Sequence, residues 1–333
     1  MKKKILALTM AAAMTLGVAA CGSSGASSAS GSAAASSTSA KTYTVGICQL
    51  VQHPALDAAT KGFRDALTEK LGTSVTFDEQ NAAGDSATCA TICNGFVSSK
   101  VDLIMANATP ALQAAAAATD SIPILGTSVT DYASALSISN WTGATGTNIS
   151  GTSDLAPLDG QAAMLNELFP KAKNVGILSC SGEANSAYQV KTITPFLEKY
   201  GYTVKSYTFS DSNDVASVAA TACADSDVLY IPTDNTAASC AETISNVAQP
   251  AGVPIVAGEE GICAKCGVAT LSISYYDLGY ATGEMAYEIL VNGADPATMQ
   301  IQFAPKFTKE YNADLASALG VTIPSDYTAI AKS

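Results

Sequence analysis

Along most of the chain, apolar runs of strand length alternate with longer stretches in which apolar residues recur every three or four positions. The run over 43–50 is rich in β-formers. It is followed by a helical pattern that opens at Pro54, where a missing N–H would be unpaired anyway. The alternation continues with strand 74–78, helix 86–99, strand 101–106, helix 110–119 and strands 122–126 and 148–152. A second series begins with strand 174–179. It runs through helix 186–200, strand 203–209, helix 214–224, strand 228–231, helix 236–249 and strand 254–256, and a further helix is expected over 276–291. Strand–helix–strand units of this spacing build parallel sheets, so the predicted class is α/β with two doubly wound parallel-sheet lobes.

The two series resemble each other in detail. Val45-Gly46-Ile47 recurs as Val175-Gly176-Ile177, Asp102-Leu103-Ile104 as Asp227-Val228-Leu229, and Ile122-Pro123-Ile124 as Val253-Pro254-Ile255. The offsets are 130, 125 and 131 residues, in the same order, which predicts two related halves.

A different pattern stands at the N-terminus. Lys2, Lys3 and Lys4 precede an apolar run from Ile5 to Ala20 that is short for a membrane span and has the form of a secretory signal over 1–20. It ends in Val18-Ala19-Ala20-Cys21, the form of a lipobox, which predicts cleavage before a lipidated Cys21 and hence an acyl anchor in a bilayer. From Gly22 to Ala40 only Gly, Ser, Ala and Thr occur, so residues 21–42 are expected to act as a flexible tether reaching about 25 Å. The remaining chain is long enough for two domains. No other apolar run approaches the length of a span.

Charge narrows the partners. Three of the 17 basic side chains lie in the signal, against 29 acidic ones overall, a balance that repels nucleic acid and anionic lipid. Nine cysteines form no recognisable disulfide scaffold, and free, partly buried thiols are the expectation. Cys263-Ala264-Lys265-Cys266 has redox-like spacing but needs a strand before it and a helix opening on it to carry chemistry. The only histidine, His53, has no partner motif for a metal, so neither metal nor cofactor is expected. Enzyme signatures fail as well. A nucleophile elbow near a histidine is missing, and Cys48-Gln49-Leu50 stands where a dinucleotide enzyme carries its glycines.

In open parallel sheets, ligands bind beyond the carboxyl ends of the strands. Those positions are polar here: 49–53, 107–110, 127–130, 181–186, 232–235 and 258–261. Thr109, Asn185 and Asn235 also suit helix capping, and the acids also suit solvated loops. Six stretches resemble the ABC-transporter solute-binding lipoproteins whose members take up tryptophan and other aromatic amino acids. They are His53-Pro54-Ala55-Leu56-Asp57, Ala108-Thr109-Pro110-Ala111, Gly151-Thr152-Ser153-Asp154-Leu155, Glu183-Ala184-Asn185-Ser186, Pro232-Thr233-Asp234-Asn235 and Gly258-Glu259-Glu260-Gly261. The resemblance implies a type I periplasmic-binding-protein fold with a hinge. Lobe one would hold 43–153 plus 274–303, and lobe two 154–273 plus a returning tail over 304–330. It also implies a permease and its ATPase as partners. The chain departs from the family at Cys48, Cys89, Cys93 and Cys180, where other small or apolar residues are usual.

The expected ligand is a small zwitterion, a hydrophobic or aromatic L-amino acid. Arg64, the only arginine, falls inside the first helix, so a guanidinium clamp is not expected. A ligand carboxylate would then meet Thr109, Thr127 and Ser128 with nearby backbone N–H groups, and Asp234 or Glu259 would oppose its ammonium. On that reading Asp234→Ala lowers amino-acid affinity strongly and leaves folding nearly intact. Leu56, Tyr132, Tyr275 and Tyr276 are candidates for an apolar wall. Gln49, Asp57, Pro110, Asp154, Ser181, Glu183, Asn185, Ser186 and Asn235 complete the expected lining. A sugar or nucleoside ligand, or a receptor without a transport role, remains open at this level.

Overall fold

The computed structural model describes residues 41–331; the expected signal over 1–20, Cys21 and the expected tether as far as residue 40 lie outside the described residues. In chain order the first group of elements is β1 (Tyr43–Gln49), α1 (Pro54–Leu71), β2 (Val75–Asn81), α2 (Ser86–Ser99), β3 (Leu103–Asn107), α3 (Thr109–Ala118), β4 (Ile124–Val129), α4 (Tyr132–Ala135) and β5 (Ile149–Ser153). The second group is α5 (Leu158–Leu168), β6 (Asn174–Cys180), α6 (Ala184–Lys199), β7 (Thr203–Phe209), α7 (Val215–Asp225), β8 (Val228–Ile231), α8 (Asn235–Ser239), α9 (Ala241–Ala251), β9 (Ile255–Ala257), α10 (Glu260–Lys265) and β10 (Ala269–Ser272). Then follow α11 (Tyr275–Leu290), β11 (Gln302–Phe303), β12 (Thr308–Tyr311), α12 (Ala313–Ala318) and β13 (Thr328–Ala329).

The strands form two sheets, ordered β11-β5-β4-β3-β1-β2 and β13-β12-β10-β9-β8-β6-β7. Pairing is parallel except between β10 and β12, so the α/β class with two doubly wound sheets holds. The first five strands of each series take the same spatial order, which is the topological form of the internal likeness. The recurring aspartate has a visible reason. Asp102 accepts the Thr44 N–H, and Asp227 accepts the N–H groups of Lys173 and Asn174. In both sheets the residue before the third strand fastens the start of the central one.

Helix 236–249 is in fact two pieces, because Cys240 leaves helical angles at φ −105°, ψ 12°. Helices α5 and α10 and strand β10 had no counterpart in the periodic pattern. Both β10 and α10 are too short to show a period.

Each sheet is covered on both faces. One face of β1 sends Val45 and Ile47 into a core with Phe63, Leu67 and Met285; the other sends Cys48 into a core with Leu112 and Phe96. Helix α11 returns from the second sheet to lie along α1, and the two backbones touch through glycine. A Cβ on Gly279 would overlap the Ala59 carbonyl, and one on Gly62 would overlap that of Tyr276. Gly279→Ala is therefore expected to lower stability by about 2 kcal/mol through overpacking, a fall of roughly 5 °C in Tm. Thermal denaturation without ligand checks this.

The chain crosses between the sheets after β5, after β10 and after β11. These crossings bring the post-strand segments of the two sheets against one another. His53, after β1, meets Asn235, after β8, at 3.3 Å, and Gln189 on α6 donates to Thr130 Oγ1, after β4, at 3.5 Å.

Candidate ligand site between the two sheets

The site begins where β3 and β4 end. Ala108 (φ 92°) and Ser128 (φ 54°) are both held at positive φ, a strained backbone for side chains of these types. Ala108 N–H donates to the Thr127 carbonyl, which locks the two turns together and sets Thr109 at the N-terminus of α3 with Pro110 next to it. The hydroxyls of Thr109 and Ser128 are buried there with no partner in the protein. So are His53 Nδ1 and, from the opposing sheet, Asn185 Oδ1. Leaving such an atom unpaired costs about 1–3 kcal/mol each, and a polar ligand between the sheets removes that penalty. Thr127 is committed elsewhere, since its hydroxyl meets that of Thr152 at 3.2 Å.

Four carboxyl groups are buried in the same region, and they differ in how fully they are already served. Glu183 accepts from the side-chain amides of Asn185 and Asn235, from the N–H groups of Asn235 and Thr236, and from the Thr236 hydroxyl. Asp234 accepts from Ala237 N–H, Cys180 N–H and the Ser186 hydroxyl, so it caps α8 and binds the end of β6 to it. Glu259 accepts the N–H groups of Gly261 and Ile262 at the start of α10. Asp154 accepts only two hydroxyls, Thr130 at 3.1 Å and Tyr275 at 3.0 Å. A carboxylate offers about four lone-pair sites, so Asp154 and Glu259 have the most capacity left.

Their electrostatics agree. Burial pushes Asp154 up to about 6 and Glu259 up to about 7, with Asp154 adding to the rise at Glu259. Burial, and the neighbouring Glu183, raise Asp234 as well. Burial lowers His53 and favours its neutral ring. Four acids meet without a buried lysine or arginine among the described residues, an arrangement that favours a cationic group.

The remaining expected residues divide by burial. Asn185 and Ser186 are buried on α6, and Asn235 bridges His53 to Glu183. Gln49 is buried, but its amide is spent on Asp57, Thr60 and the Val51 carbonyl. Asp57 and Ser181 are exposed. Leu56 and Tyr132 belong to the first sheet's core, where Tyr132 donates to the Thr152 carbonyl, and Tyr276 lies outward on Asp65. Tyr275 alone of the proposed wall reaches the carboxyl network. Pro110, Glu183 and Thr236 line a cavity of about 430 Å³ at the mouth between the sheets.

Residues that the sequence reading did not single out complete the network. Thr130 and Gln189 close it across the two sheets, and Gln189 also donates to the Thr233 carbonyl. Gln189 stands one helical turn beyond Asn185, a spacing that puts both on one face of α6. Cys263, within α10, and Cys266, just after it, are buried; their thiols donate to the carbonyls of Gly267 and Ile262, and burial pushes both up.

Comparison with known proteins bears on this geometry. A tyrosine-binding protein of Clostridioides difficile is 39% identical over 291 residues, covering 86% of this chain and 84% of the relative. The crystal structure of an ABC domain from Streptococcus pneumoniae in complex with L-Trp is 32% identical, with a TM-score of 0.82, and covers 86% of this chain and 97% of that one. The ligand-free, open structure of a substrate-binding protein with adhesive properties from Clostridium difficile is 38% identical, yet its TM-score is 0.66, with 86% and 99% covered. The less similar sequence gives the better superposition, so the arrangement of the two sheets is nearer to that of the L-Trp complex than to that of the open form. Residues 44–333 match one family along nearly the whole described chain, and with the paired sheets, the three crossings and the polar cleft they place this protein among the ABC transporter substrate-binding proteins.

Proposed function

We propose that the chain captures an aromatic L-amino acid between its two sheets and delivers it to a membrane permease driven by an ATPase. The observation that carries this reading is the split polarity of the closed cleft. Unpartnered hydroxyls of Thr109 at the start of α3 and of Ser128 at the end of β4 suit a carboxylate, and the under-served acids Asp154 and Glu259 suit an ammonium. The ammonium role expected for Asp234 or Glu259 thus falls to Asp154 and Glu259. The aromatic side chain is supported by the ligands of the relatives, tyrosine and L-Trp.

Two lobes are proposed to follow the two sheets, with 43–153 plus 274–303 moving against 154–273 plus 304–330 about the crossings. A ligand touching both sides stabilises the closed arrangement by its differential contacts, and that arrangement is the one delivered. Outside the cytoplasm the chain would be held to the membrane by an acyl group on Cys21. No described helix is long and apolar enough to cross a membrane.

Thermal-shift measurements on the mature chain test the ligand class. L-Tyr, L-Trp or L-Phe at about 100 times Kd should add about 2.7 kcal/mol of stability by mass action, and monosaccharides and nucleosides should add none. A shift with a sugar and none with any aromatic amino acid would overturn the proposal.

A further inference from the structure

Three of the cysteines that set this chain apart come together. Cys48 is on the face of β1 that looks toward α2, and Cys89 and Cys93 stand one turn apart on α2, which packs on β1. All three belong to the same core cluster and are fully buried, and both α2 thiols are near enough to the Cys48 thiol to raise its pKa. They are free thiols in the structure, and they do not form a set able to hold a metal ion. Coupling between sulfurs is the chemistry that remains. Elsewhere Cys180 donates to the Ser210 carbonyl, Cys240 meets the Ser239 hydroxyl, and Cys263 and Cys266 donate separately to backbone carbonyls.

We propose that Cys48 forms a disulfide with Cys89 or Cys93, leaving the third thiol free, when the chain folds in an oxidising compartment in contact with an external disulfide. Cys89 is the initiating nucleophile. It sits in the first turn of α2, where the N-terminus of the forming helix favours a thiolate. The thiolate attacks the external disulfide RSSR and releases one RS⁻, giving a mixed disulfide on Cys89. Cys48 then loses its proton and attacks the Cys89 sulfur, expelling the second RS⁻. Two protein thiols and one RSSR become one protein disulfide and two RSH. The free thiol of Cys93 can exchange into the bond, which moves it along α2 with no further oxidant.

Burial assigns the timing. With none of the three sulfurs exposed in the folded chain, oxidant reaches them before the core closes. The bond would close a loop of about 40 residues and so restrict the unfolded chain. It would also clamp the end of β1 to α2, adding to the hold of the loop before that helix, where Ala82 N–H donates to the Gln49 carbonyl and Gly84 N–H to the Leu50 carbonyl.

The mature chain, unfolded and reduced, is refolded in a buffer of oxidised and reduced glutathione, then alkylated, digested and mapped by mass spectrometry. The expected result is a peptide pair joining Cys48 to Cys89 or Cys93, with a Tm roughly 5 °C above that of the chain refolded under reduction. Cys48→Ser should remove both the pair and the Tm difference. Recovery of Cys48 as an alkylated thiol, or joined to any other cysteine, overturns the proposal, and that mapping needs no variant to fold.

Discussion

Asp154→Asn is expected to weaken binding of the amino-acid ligand on the order of 100-fold while leaving the unliganded protein as stable as before or more so. The asparagine is nearly isosteric. Its oxygen still accepts one of the two hydroxyls that Thr130 and Tyr275 now offer, and its amide can donate to the other oxygen. What disappears is a buried negative charge whose donors are two neutral hydroxyls. In the unliganded protein that charge is a burden, since burial raises Asp154 from 3.8 to about 6, worth about 3 kcal/mol above that pH. In the proposed complex it is the counter-charge of the ammonium. Calorimetric titration together with thermal denaturation separates the two effects. Unchanged affinity would remove Asp154 from the site.

The same groups set opposite pH trends for folding and for binding. A carboxyl raised in the folded chain binds a proton there that the unfolded chain has released, so stability falls as pH rises from the unfolded value to the folded one. For Asp154 that interval is 3.8 to about 6, and for Glu259 it is 4.5 to about 7. If the ammonium needs both acids ionised, ligand affinity should fall as pH drops below about 7, where Glu259 takes up a proton, and fall further below about 6, where Asp154 does. The ligand-induced rise in Tm should therefore shrink toward pH 5 even as these two groups favour the unliganded fold, and Asp154→Asn should flatten both trends.

How much of this was legible depended on which force placed each group. Strand and helix positions follow from apolar periodicity, and Asp102 and Asp227 recur because each fastens the same strand start. The polar loops were visible as loops, but polarity does not say which way a side chain faces. Asp57 and Ser181 share their segments with His53 and Glu183 and are nonetheless exposed. Thr127 and Ser128 are adjacent, and only the second keeps an unpaired hydroxyl, because Thr152 on the neighbouring strand takes the first. Such distinctions depend on pairing across strands far apart in sequence. The acids show the same limit: Asp154, Asp234 and Glu259 all follow strands, and what separates them is the number of donors that the fold brings to each.

Asp234→Ala is accordingly expected to act on the fold, with a loss of about 3 kcal/mol or more in unfolding free energy. Removing the carboxylate uncaps α8 at Ala237 and strands two buried donors, the N–H of Cys180 and the hydroxyl of Ser186. A lost cap costs about 1 kcal/mol and each stranded buried donor about 1–3. Against this stands the relief of burying a charge beside Glu183, which raises Asp234 and makes its ionised form unfavourable. The donors outweigh it because both ends of the carboxylate are tied, one to α8 and one to β6, so its loss also frees the turn that carries Glu183 and Asn185. Chemical denaturation should show the midpoint falling, and calorimetry at a temperature where the variant is folded should show ligand affinity within a fewfold of the parent. A variant of full stability that no longer binds would return Asp234 to the ammonium and displace Asp154 from it.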